Sequence, residues 1–113
     1  MFVKVYTNDG LTGVGEATGG LSAKPGEAQV HELERFAIGE DPLQPERLWQ
    51  KMYKGLFLCV NVGMNAIEIA CWDILGKSLN APLWKLLGGK QRPKLRVYAN
   101  GWYKGRRNPV LFC

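Results

Sequence analysis

The side chains able to do chemistry in this sequence are few and scattered. Glu68 and Asp73 lie on its longest helical stretch, and two facing carboxylates are what general acid–base catalysis uses. Their spacing argues against that role: five residues at 3.6 per turn is about 500°, which leaves the two about 140° apart round the axis. Packing and hydrogen bonding is the expected use of each. His31 is the single histidine, beside Glu32 and Glu34 on a polar helix face, and reads as a surface residue. Cys59, Cys71 and Cys113 are an odd number with no Cys-x-x-Cys, so they read as reduced thiols of a cytoplasmic protein, not as a disulfide framework or a zinc site. Gly13-x-Gly15 is too short for a dinucleotide fingerprint and belongs to a strand. No catalytic and no metal-ligating residue is assigned within the chain.

Charge is the next signal. The net charge of +5 hides an asymmetry, because residues 74–113 hold nine of the fifteen Lys and Arg and none of the ten acids. A one-signed tail calls for an acidic partner. One candidate is a nucleic acid, gripped by Lys90, Arg92, Lys94, Arg96, Lys104, Arg106 and Arg107 with Tyr98, Trp102 and Tyr103 stacking on bases. The others are an anionic ligand or further parts of the same protein. At 113 residues and 46% hydrophobic content one core is expected, and no apolar run reaches the roughly 18 residues of a membrane span. Neither export nor a membrane is indicated.

The elements that would position these groups follow from periodicity. Phe2 to Thr7 alternates, Asn8-Asp9-Gly10 supplies a turn with a residue at positive φ, and Leu11 to Glu16 returns. Two strands alone are marginal, so this hairpin needs a third strand or a helix beneath it. Ala17 to Gly26 reads as a loop, and a helix is expected from about Glu27 to Ile38 with Val30, Leu33, Phe36 and Ala37 inward. Pro45 opens the next helix, Leu48, Trp49, Met52 and Tyr53 form its apolar face, and Gly55 is expected to stop it. The longest helix spans about Gly63 to Leu79, with Asn80 as a left-handed cap. Ala66, Ala70 and Gly76 on it would admit another helix closely. Pro82 starts a short helix to about Leu87, ended by Gly88-Gly89. Leu95 to Ala99 is strand-like, and Asn108-Pro109 reads as the cap of one more helix. Trp49, Trp72, Trp84 and Tyr53 are expected in the core.

Three segments give this order a family likeness. Val3-Lys-Val-Tyr-Thr-Asn-Asp-Gly-Leu-Thr-Gly-Val-Gly-Glu-Ala17 resembles the second and third strands of the mandelate racemase/muconate lactonizing enzymes of the enolase superfamily. Asn65-Ala66-Ile-Glu68-Ile-Ala70-Cys-Trp-Asp73-Ile-Leu-Gly76-Lys77, followed by Pro82-Leu83 and Leu86-Leu87-Gly88, has the spacing of that family's signature. Gly63 and Cys71 depart from it, where Ala and Leu or Ala are usual. Val97-Tyr98-Ala99-Asn100-Gly101-Trp102-Tyr103 is similar to the first barrel strand of its galactonate dehydratase-like members.

The resemblance implies an α+β fold: an antiparallel β-hairpin packed on a helical bundle, as in the enolase-like N-terminal capping domain, followed by the first strand of a truncated (β/α) barrel. Residues 1–90 would be the capping domain without its first strand, and 91–113 the linker and barrel strand. It also implies a parent enzyme that removes the proton α to the carboxylate of an acid sugar or similar substrate, with Mg²⁺ and a Lys or His base, as a dehydratase or else as a racemase or cycloisomerase. Such enzymes keep those groups at the C-terminal ends of barrel strands. The chain alone is therefore expected to bind no Mg²⁺ and to be inactive, its partners in the parent being its own barrel and further copies of itself. The loop Thr18, Gly19, Gly20 and Leu21 would face the substrate as a lid, and Asn100 and Trp102 would reach the site from the end of the barrel strand. The basic run from Lys77 to Arg107 would meet an acidic barrel.

Overall fold

The computed structural model describes residues 1–18 and 23–98. Its elements, in chain order, are β1 (Phe2–Tyr6), β2 (Thr12–Glu16), α1 (Lys24–Ala37), α2 (Pro45–Gly55), α3 (Val62–Ser78) and α4 (Leu83–Leu86). β1 and β2 form an antiparallel two-stranded sheet in the register Phe2↔Glu16 to Tyr6↔Thr12. The Thr7 carbonyl accepts the Gly10 N–H at 3.2 Å, and the Thr7 N–H donates to the Leu11 carbonyl at 3.0 Å. Only Gly10 in this turn has positive φ, +81°, so the connection is a three-residue loop with its glycine in the left-handed position.

The hairpin lies on α3, which answers its need for support: Val3 and Val5 turn inward, while Phe2, Lys4 and Tyr6 are exposed. α3 also packs against α1 and α2. Leu33 of α1, Leu48 and Met52 of α2, and Met64, Ile67 and Cys71 of α3 make the core these three helices share. α3 is buried along most of its length because the hairpin covers one side and the two helices another.

Several boundaries and contacts differ from the expectations. α1 begins at Lys24, three residues ahead of Glu27, because Pro25 sits in the first turn, where its missing N–H costs nothing. α2 does end at Gly55, as expected, and a Cβ there would lie 2.4 Å from the Phe36 ring. The chain then reverses through Phe57 (φ +52°) and Leu58 (φ +68°). α4 starts at Leu83, with Pro82 as its extended N-cap, and Asn80 adopts φ +47° as expected. Trp84 is exposed, not core; its ring lies beside the Lys85 ammonium, 5.6 Å from the centroid. Trp49 and Tyr53 stack at 4.9 Å, half-buried against the core.

Leu95 to Tyr98 form no strand. They are irregular and largely exposed, since a strand needs a ladder partner and the described residues offer none there. Ala99 and the expected cap at Asn108-Pro109 lie outside the described residues.

Candidate functional site

The signature residues gather where β2 crosses α3. In the antiparallel ladder, Val3 and Val5 exchange hydrogen bonds with Gly15 and Gly13, so the backbone groups of Val14 and Thr12 point to the outer edge of β2. Asp73 and Lys77 occupy that edge. Asp73 Oδ2 accepts the Val14 N–H at 3.0 Å, and Lys77 Nζ donates to the Thr12 carbonyl at 2.7 Å and to Asp73 Oδ2 at 2.7 Å. Lys77 beside Asp73 holds its carboxyl below the usual carboxylate value; burial opposes the shift and the Val14 N–H adds to it. Asp73 is thus an ionised clamp on the hairpin.

The small residues of the signature serve the same contact, and here the expectation of a second helix is corrected. Ala66 and Ala70 face β2, not a helix. A Cβ on Gly13 would lie 2.0 Å from the Ala70 carbonyl oxygen, and one on Gly15 would lie 1.9 Å from that of Ala66. Gly76 faces Ala81 and Leu83 at the turn into α4. Gly63, a departure from the family pattern, lets α1 approach: a Cβ would meet the Val30 nitrogen at 2.9 Å. Glu68 accepts from Trp72 Nε1 at 3.3 Å and makes no contact with Asp73, so the two carboxylates do diverge. Asn65 is exposed on α3, Pro82 caps α4, Leu86 is half-buried, and Gly88 has φ +101°. Ala66, Ala70, Asp73, Gly76 and Lys77 thus have packing or hydrogen-bonding parts, while the Asn65 side chain makes no hydrogen bond among the described residues.

Of the expected substrate-facing residues, Thr18 is exposed just past the buried Ala17, its hydroxyl 3.4 Å from Glu16 Oε1. Gly19, Gly20, Leu21, Asn100 and Trp102 lie outside the described residues. His31 is on the surface, 2.8 Å from Glu34. Cys59 is exposed and Cys71 buried, both free, and burial pushes the Cys71 thiol up to about 11. Cys113 is outside the described residues. Among the described residues no three His, Cys, Asp or Glu side chains converge as metal ligands, so this donor set does not fit Mg²⁺. No helix among them is long and apolar enough to cross a membrane.

One feature beside the hairpin has no sequence signal: a groove of about 580 Å³ between β1 and the α1–α2 connection. It arises from the separation of elements distant in sequence, which periodicity does not encode.

The residues that build the β2–α3 contact all lie within a stretch that matches known proteins. Residues 1–88 match the N-terminal domain of mandelate racemase / muconate lactonizing enzymes. The chain belongs to this family. Within the family it is similar to the D-galactonate dehydratases of Cronobacter sakazakii (42% identical) and Klebsiella pneumoniae (44%), in each case over 95% of this chain and 28% of theirs. A solved structure from Mesorhizobium loti is 40% identical, with a TM-score of 0.82 over 98% of this chain and 32% of its own. The chain spans under a third of the length of these relatives.

Proposed function

We propose that this chain is the capping portion of an acid-sugar dehydratase that removes the proton α to a carboxylate, with a galactonate-like acid as substrate. The observation that carries the reading is its identity of 42 to 44% to two D-galactonate dehydratases, which runs through the β2–α3 clamp and covers 95% of the chain. Residues 1–90 make the capping domain, and 91–113 the linker and a segment that becomes the first barrel strand only when a barrel partner strand is present. The proton-abstracting base and the Mg²⁺ ligands belong to a barrel, and Mg²⁺ there would stabilise negative charge on the substrate carboxylate. The described residues take no part in the proton transfer and supply shape. The Asp73–Lys77 clamp holds β2 at Thr12 and Val14, its first and middle residues, and β2 leads through Ala17 and Thr18 into the Gly19-Gly20-Leu21 loop that closes over the substrate. Asn100 and Trp102 flank the same mouth. The complete enzyme is cytoplasmic and assembles as a homo-oligomer, and the basic run Lys77 to Arg107 packs on its acidic barrel.

The test is a chimera: this chain joined to the barrel of the Klebsiella pneumoniae relative in place of that protein's own N-terminal portion. Formation of a 2-keto acid from D-galactonate is the expected result. A folded, Mg²⁺-binding chimera that turns over mandelate or muconate derivatives and not sugar acids would favour the racemase or cycloisomerase reading, and one inert to all of them would overturn the assignment.

A further inference from the structure

We draw no further inference here: the strongest candidate, the apolar surface patch on the α2–α3 connection, where Phe57 and Leu58 hold positive φ and stand exposed together with Val60, carries none, because nothing in the structure shows what covers it.

Discussion

Gly13 and Gly15 are the positions where β2 comes closest to α3. A methyl group at either would run into a helix carbonyl at 2.0 or 1.9 Å, and neither obstacle is a flexible side-chain end that could swing aside. Gly15→Ala should therefore cost about 3 kcal/mol, the upper end of overpacking losses, or prevent folding, measured by urea denaturation. Asp73 carries a pH dependence of known sign. A carboxyl held below its ordinary value, here 3.8, stabilises the fold fully above that value and loses the contribution as pH falls through the folded one. Asp73→Asn should cost about 1 kcal/mol at pH 7, and the gap to the unaltered chain should close below about pH 4. A gap that widens in acid would contradict the clamp. Cys71 is buried with its thiol pushed up to about 11, whereas Cys59 is exposed. At pH 8 an alkylating reagent should label Cys59 in the folded protein and Cys71 only after unfolding, as peptide mass spectrometry would show.

At the scale of elements, α3 is the part on which the rest is assembled, and its start is fixed by one side chain. Asn61 Oδ1 accepts the Met64 N–H at 2.9 Å, with the backbone extended at Asn61 as an N-cap requires. Asn61→Ala should lose about 1 kcal/mol and Asn61→Asp very little, as measured by thermal unfolding. The hairpin, α2 and α3 were legible in the sequence because each carries both a period and a punctuating residue: Gly10, Pro45 and Asn80. α1 was misjudged at its start because proline signals a loop and a first helical turn equally well. Phe57 and Leu58 gave no warning of positive φ, since neither type favours it. The role of Ala66 and Ala70 was misread for a related reason. Small residues on a helix announce a close neighbour, but whether that neighbour is a helix or a glycine-bearing strand depends on which elements the chain brings together. Leu95 to Tyr98 had strand-like residues and no partner, and composition cannot supply one.

For the whole molecule, the family was legible in the spacing of residues 65–88, and the described structure shows why that spacing exists: it serves packing and the hairpin clamp. The expectation that Thr18 and its neighbours face a substrate came only through the resemblance, because these residues have no chemistry of their own to mark them. The charge asymmetry is legible in the sequence alone, since residues 74–113 hold nine Lys and Arg and no acid. Lys90, Arg92, Lys94 and Arg96 form no ion pair among the described residues. The described residues carry shape, and none of the metal or proton chemistry is assigned to them. Calorimetric titration of the chain with Mg²⁺, alone and with D-galactonate present, tests this most directly. No stoichiometric binding heat and no 2-keto acid are expected; a one-to-one Mg²⁺ site in the chain, or turnover, would overturn that expectation.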